Sequence, residues 1–220
     1  MEHGSIGVHQ LPNLFRAIEL GNSLPIARIA ESKPKDCKQA LDAGAGGIIA
    51  PMINTKEDCE KFVSYCYYPP IGQRSFGPMR AQVAYGSDYY QHANKNIISL
   101  AMIETKEAVD NLDAILSVPN LTGIYIGPAD MSSSYGLPPK FDVKEDPVFS
   151  NIKMIVKKAR DKGKVAGIHN GSVQYLKEMI EIGFQFTSLL SDFRIMSSHA
   201  ESLLREIKNV DTKSDNTSAY

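Results

Sequence analysis

Cysteine, net charge and long apolar runs are all scarce in this chain, and each scarcity excludes something. The three cysteines, Cys37, Cys59 and Cys66, are odd in number and contain no CxxC pair. They support neither a disulfide framework nor a zinc ribbon and read as reduced thiols on helices. Lysine plus arginine total 24 against 25 acidic residues, a net charge of −1, which excludes an electrostatic nucleic-acid binder or a polybasic membrane-surface protein. No stretch approaches the ~20 apolar residues of a membrane span, and the first ten residues show no basic segment followed by an apolar run. The expectation is a cytoplasmic protein with neither nucleic-acid nor membrane partners. GxSxG, P-loop and HExxH signatures are also absent, so hydrolase, kinase and zinc-protease readings have no motif to rest on.

What is present is an ordinary globular composition, 43% hydrophobic and 22% charged over 220 residues, enough for one substantial core. Six short apolar runs stand out at 25–29, 47–52, 97–103, 123–127, 165–168 and 186–190. Continuous apolar runs suit strands covered on both faces, as in a parallel sheet. Between them the periodicity predicts helices near 11–20, 33–43, 55–66, 106–116, 147–162 and 172–182, with a last one near 194–208. This βα alternation leaves an open doubly wound sheet or a closed (β/α)₈ barrel. An open nucleotide-binding sheet carries its glycine-rich turn after a strand, whereas Gly44-Ala-Gly-Gly47 follows a helix and precedes a strand, so that cluster reads as structural. Six βα units are two short of a barrel. Residues 67–96, rich in Pro, Gly and aromatics, read as a long connection of the kind that covers a site. Residues 1–208 are expected to form one domain, and 209–220, polar and without an apolar face, a disordered tail.

In parallel α/β folds chemistry collects at the C-terminal ends of strands. Those positions hold Arg28, Met52, Glu104, Asp130, His169-Asn170 and Ser191-Asp192. Glu104 and Asp130 fall just beyond neighbouring strands, about 4.8 Å apart, and two carboxylates side by side repel unless a cation lies between them. Oxygen ligands suit Mg²⁺, Mn²⁺ or Co²⁺; the competing reading is that each acid caps the following helix. Arg28 is costly at the end of an apolar run. Either it binds a substrate carboxylate or developing oxyanion, or it forms an ordinary ion pair with Glu2 or Glu31. A Schiff-base lysine is missing: Lys106 lies beyond Glu104 and Lys164 at the wrong end of its strand. His169, ending a strand, is a candidate to line the pocket, whereas His3 on this reading is only a terminal residue.

Seven segments, taken in order and spacing, change that judgement. Glu2-His-Gly4, Pro25-Ile-Ala-Arg28, Ala40-Leu-Asp-Ala-Gly-Ala45, Ala50-Pro-Met52, Tyr68-Pro-Pro-x-Gly-x-Arg74, Ile103-Glu-Thr105 and Gly127-Pro-Ala-Asp130 together resemble the HpcH/HpaI aldolase family of metal-dependent pyruvate aldolases. The resemblance runs from Glu2 to about Lys208 and implies a (β/α)₈ TIM barrel of the phosphoenolpyruvate/pyruvate type. It also implies that the barrel's first two strands are missing from this chain, Met1 being an internal methionine of a longer gene product. If the short form is natural, a partner chain covers the open barrel or the protein is an inactive remnant.

The resemblance further implies that Glu104 and Asp130 hold a divalent cation and that Asp130 and the Ala129 backbone seat a pyruvate carboxylate. Arg28 would steady the enolate oxyanion. His3 would accept the proton of the substrate's C4 hydroxyl, directly or through water, and Asp42 would raise its basicity. Asp42 nevertheless reads as lying at a helix end on the opposite side of the barrel, acting across a subunit interface or merely capping. Relatives often have Gln where this chain has Met102, whose thioether cannot donate a hydrogen bond. Arg74 and Tyr85, from the 67–96 segment, are candidates to meet the distal end of the substrate. The implied reaction is reversible cleavage of a 4-hydroxy-2-oxo acid to pyruvate and an aldehyde. A malyl- or citramalyl-CoA lyase is the alternative, although no Lys/Arg cluster for CoA phosphates is evident. Homo-oligomers, with the last helix packed on a neighbour, are expected from the same resemblance.

Overall fold

The computed structural model describes residues 1–208; the tail expected at 209–220 lies outside them. All six apolar runs form strands: β1 (Ile26–Arg28), β2 (Gly47–Ala50), β3 (Ile98–Ile103), β4 (Gly123–Ile126), β5 (Val165–Asn170) and β6 (Phe186–Leu189). They pair in parallel in the order β1-β2-β3-β4-β5-β6, a curled half-barrel with β1 and β6 at its edges among the described residues. The closed or open choice is thus decided for a barrel-type sheet in sequential strand order.

The helices fall where the periodicity places them: α1 (Leu11–Leu20), α2 (Pro34–Asp42), α3 (Lys56–Cys66), α9 (Val148–Asp161), α10 (Val173–Ile182) and α11 (Asp192–Ile207). Three of these starts carry a side-chain cap, from Thr55 at α3, Ser172 at α10 and Ser191 at α11. At α3 Thr55 Oγ1 accepts the Asp58 N–H at 3.1 Å while Asp58 Oδ2 accepts the Thr55 N–H at 3.0 Å, a reciprocal capping box. The helix expected at 106–116 is split at Asn111 into α6 (Lys106–Asp110) and α7 (Leu112–Leu116). The 67–96 segment is not one long loop. It contains α4 (Met79–Tyr85) and α5 (Tyr89–Asn96), anchored by buried Ala81, Tyr89 and Ala93. One further short helix, α8 (Pro128–Ser134), follows β4.

Two apolar layers result. The larger packs the helices onto the sheet and takes in all three cysteines, each buried and free. The smaller, on the opposite concave face, contains only strand residues: Ile49, Leu100, Met102 and Tyr125, with Ile26, Ile98 and Phe186 against them. Because side chains alternate along a strand, Arg28 shares that face with Ile26, and Glu104 with Leu100 and Met102. This alternation is what aims the strand-end polar residues into the concavity. Among the described residues no helix is long and apolar enough to cross a membrane.

Candidate active site

Glu104 stands one residue past β3 and is 3% exposed. It is not the cap of α6. Thr105 is, its Oγ1 accepting the Ala108 N–H at 3.0 Å, which leaves the Glu104 carboxylate to turn inward. Its Oε1 accepts the Met52 backbone N–H at 2.7 Å. Met52 presents that N–H from a left-handed backbone, φ 53°, a conformation uncommon for a residue with a side chain and often found at functional sites.

The other oxygen, Oε2, lies over Gly127: a Cβ there would stand 2.7 Å from it and 3.1 Å from Met102 Cε. Glycine at the end of β4 is therefore what lets the carboxylate lie flat over the neighbouring strand. Gly127→Ala is expected to push Glu104 off this position, costing about 1–3 kcal/mol of stability. The same substitution should weaken divalent-cation binding at least tenfold, as read by calorimetric titration. Unchanged cation affinity would contradict this account of the glycine.

Asp130 occupies the first turn of α8, whose cap is Gly127 and not an acid. It is exposed and accepts no hydrogen bond among the described residues, yet its charge reaches both Glu104 and Glu2. Burial raises the Glu104 carboxyl to about 7; the Met52 N–H opposes this, while Asp130 and Glu2 add to it. Glu2 is raised too, by burial first and against the pull of Arg28. A cluster of carboxylates that pay in desolvation and mutual repulsion is a cation-seeking arrangement. No group of three or more His, Cys, Asp or Glu arranged for a metal occurs among the described residues.

Arg28 makes the ion pair weighed for it with Glu2, Nε to Oε2 at 3.0 Å, and not with Glu31, which pairs with Lys33. Its side chain remains 37% exposed, and its charge is felt by Glu104, Tyr125 and His169. Pairing and pocket-facing position are thus compatible. His3 sits on a left-handed backbone, φ 54°, with Nε2 3.6 Å from Glu2 Oε1 and half of its side chain exposed. Glu2 therefore links His3 and Arg28, while the like charge of Asp130 acts against it. The sequence offered it only as a possible partner of Arg28; the signal was its place beside His3 in the same tripeptide.

Met102 is 1% exposed and packs beneath Glu104, while Ala129 is buried at the start of α8. Asp42 and Arg74 are elsewhere. Asp42 ends α2, at the N-terminal side of the sheet, and its Oδ1 accepts from Arg74 Nη2 at 2.8 Å. The Arg74 side chain has no exposure, donates also to Tyr89 Oη at 3.0 Å, and lies 4.4 Å over the Tyr68 ring. Tyr85 Oη is spent on the Gly44 carbonyl at 2.8 Å. Within one chain, then, Arg74, Tyr85 and Asp42 are not brought to Glu104. The buried guanidinium is consumed in holding α2, α5 and the segment between them together.

The concave parallel sheet, with acids, an arginine and a histidine gathered at its C-terminal rim, defines a barrel-type α/β enzyme site. Sequence comparison agrees and is more specific. Residues 1–196 match the HpcH/HpaI aldolase/citrate lyase family, and the chain belongs to it. The chain is 38% identical over 208 residues to a hydroxypyruvate/pyruvate aldolase of Rhizorhabdus wittichii, covering 94% of this chain and 83% of that protein. Against a 2-keto-3-deoxy-L-rhamnonate aldolase of Salmonella gallinarum the identity is 33%, covering 100% and 82%. Among solved structures, a family member from Burkholderia cenocepacia superposes with a TM-score of 0.86 at 25% identity, covering 94% and 83% of the two chains. The chain is a carbon–carbon lyase of the aldolase class.

Proposed function

We propose that this protein is a divalent-metal-dependent aldolase that reversibly cleaves a 4-hydroxy-2-oxo acid to pyruvate and an aldehyde. The observation that carries the reading is the buried Glu104 carboxylate, held by the Met52 N–H and Gly127 and repelled by Asp130. Burial without a cationic partner is hard to explain unless a cation completes the site.

Glu104 and Asp130 are the residues that fit a hard divalent cation such as Mg²⁺, Mn²⁺ or Co²⁺. Such an ion, when bound, supplies Lewis-acid stabilisation of negative charge on the 2-oxo group. The chain's own residues account for the rest. His3 accepts the proton of the C4 hydroxyl. As that oxygen becomes a carbonyl, the C3–C4 bond breaks and its electron pair passes into the enolate of pyruvate. Arg28 lies where it can stabilise the developing oxyanion; its pairing with Glu2 fixes the guanidinium in advance of the reaction. Solvent then protonates C3 to give pyruvate, the aldehyde leaves, and His3 returns its proton to solvent. Met102 offers an apolar floor and no hydrogen bond, so pyruvate is held by fewer contacts than in relatives with Gln at this position.

The test is pyruvate release from racemic 4-hydroxy-2-oxo acids, with EDTA and after adding back Mg²⁺ or Mn²⁺. Cleavage that EDTA stops and the cation restores is the expected result. EDTA-insensitive cleavage would remove the metal from the reading, and no cleavage of any such acid would remove the aldolase assignment to these substrates.

A further inference from the structure

Beyond the residues used above, the concave face carries a hydrogen-bonded chain running across three strands. Tyr125 on β4, Gly167 on β5 and Phe186 on β6 are in register, and His169 on β5 pairs with Ser188 on β6. A Cβ on Gly167 would lie 2.8 Å from Tyr125 Cδ2 and 2.9 Å from Phe186 Cδ1. Only glycine there lets the Tyr125 ring lean over β5. It does so to place its hydroxyl 2.5 Å from Ser188 Oγ, two strands away. Ser188 Oγ in turn lies 2.8 Å from His169 Nδ1, and Phe141 packs against the imidazole at 4.6 Å and 77°. The ring is thereby fixed in orientation from two sides.

The other ring nitrogen, Nε2, makes no hydrogen bond among the described residues, and the residue is partly exposed. Glu104 and His169 both stand at the C-terminal ends of their strands, two strands apart. That is a lateral separation of about 10 Å, the reach of a substrate whose oxo-acid end sits at Glu104 and whose chain extends past the bond that breaks. Burial, reinforced by Arg28 and Arg194, lowers the imidazole to about 4, so the ring is neutral at working pH.

We propose that His169, held by Ser188 and Tyr125, determines specificity by presenting Nε2 to a hydroxyl group on the aldehyde half of the substrate. This rests on the aldolase reading above. A hydroxyl fits better than a carboxylate. The Tyr–Ser–His chain can run in either direction, leaving Nε2 as donor or as acceptor, and only a hydroxyl answers both. The substrate class is therefore a hydroxylated aldehyde in preference to an alkyl one. Ser188 and Tyr125 are positioning residues.

The experiment compares kcat/KM for condensing pyruvate with glyceraldehyde and with 2-methylbutanal, in which each hydroxyl is replaced by methyl, in the presence of Mg²⁺. Wild type is expected to favour glyceraldehyde by at least tenfold, because a site built to bond a hydroxyl rejects the analogue lacking it. His169→Leu should shrink that ratio tenfold or more, and His169→Gln should keep most of it. A ratio unmoved by His169→Leu, or an equal fall for both aldehydes, overturns the proposal.

A second readout needs neither turnover nor a folded variant. In wild type with ¹⁵N-labelled histidine, glyceraldehyde should displace the His169 Nε2 resonance and 2-methylbutanal should not; absence of that difference also overturns the proposal. If wild type makes no condensation product but shows the displacement, the aldolase reading fails and the His169 contact stands. Product without either His169 effect sinks the contact alone.

Discussion

Glu104→Gln is expected to lower kcat for oxo-acid cleavage by at least about 10³-fold, because it removes one of the two charged oxygen ligands proposed for the cation. The stability readout runs the opposite way. In wild type without cation, the folded-state carboxyl titrates near 7, against an ordinary value of 4.5, chiefly through burial. A carboxyl raised in the folded state contributes stability that is present below pH 4.5 and lost as pH rises through about 7. Above that, the buried charge costs up to about 3 kcal/mol. Gln at this position cannot ionise and keeps an oxygen for the Met52 N–H. In EDTA at pH 8 the variant should therefore melt higher than wild type, with the difference vanishing near pH 4. Mg²⁺ or Mn²⁺ should raise the melting temperature of wild type and leave that of the variant unmoved. Thermal melts at the two pH values, with and without cation, check all of this, and a variant still stabilised by cation would move the metal site away from Glu104.

Arg28→Met carries the second large effect. An arginine facing a developing oxyanion acts mainly in the transition state, so kcat should fall about 10²–10³-fold while KM for the oxo acid changes much less. Arg28→Lys keeps the charge but not the planar fork and should fall between. Because the Arg28 side chain is 37% exposed, loss of its pairing with Glu2 should change stability by no more than about 1 kcal/mol. Steady-state kinetics beside a denaturant melt separate these outcomes. A variant that loses several kcal/mol of stability with kcat intact would make Arg28 a structural partner of Glu2 and nothing more.

The strands and most helices were legible because their signal is local. Unbroken apolar runs such as Ile98–Ile103 and Gly123–Ile126, closed off by glycine or a capping hydroxyl, leave few alternatives. The 67–96 segment was not legible as helix. Pro69-Pro70, Gly72 and Gly77-Pro78 punctuate it, and α4 and α5 are too short, at 7 and 8 residues, to show an apolar period. Arg74 was misdirected for a related reason: a guanidinium in an apparent loop reads as solvent-facing. Only the fold reveals that Tyr68, Tyr89 and Asp42 surround it.

Strand-end position alone singled out Glu104, Asp130 and Arg28 as candidates but left helix-cap and ion-pair readings open beside the site reading, whereas His3 needed the seven-segment resemblance. The contributions of Glu2 to Arg28, of the Met52 N–H and of the Tyr125–Ser188–His169 chain depend on contacts between residues 19 to 63 positions apart in sequence. No periodicity encodes these. Gly127 and Gly167 were the available hint, since glycine inside or at the end of a buried strand marks a close approach by something else. In both cases that something is a neighbouring polar or aromatic side chain of the site.

In the proposed reaction this site makes and stabilises the enolate of pyruvate with the help of a divalent cation. Exchange of the pyruvate methyl protons in D₂O, followed by proton NMR with no aldehyde present, tests it most directly. With Mg²⁺ or Mn²⁺ the methyl signal should decay in the presence of wild type, stop decaying on adding EDTA, and persist unchanged with Glu104→Gln. A methyl signal that survives undiminished beside cation-loaded wild type, or that exchanges equally fast in EDTA, would contradict the account.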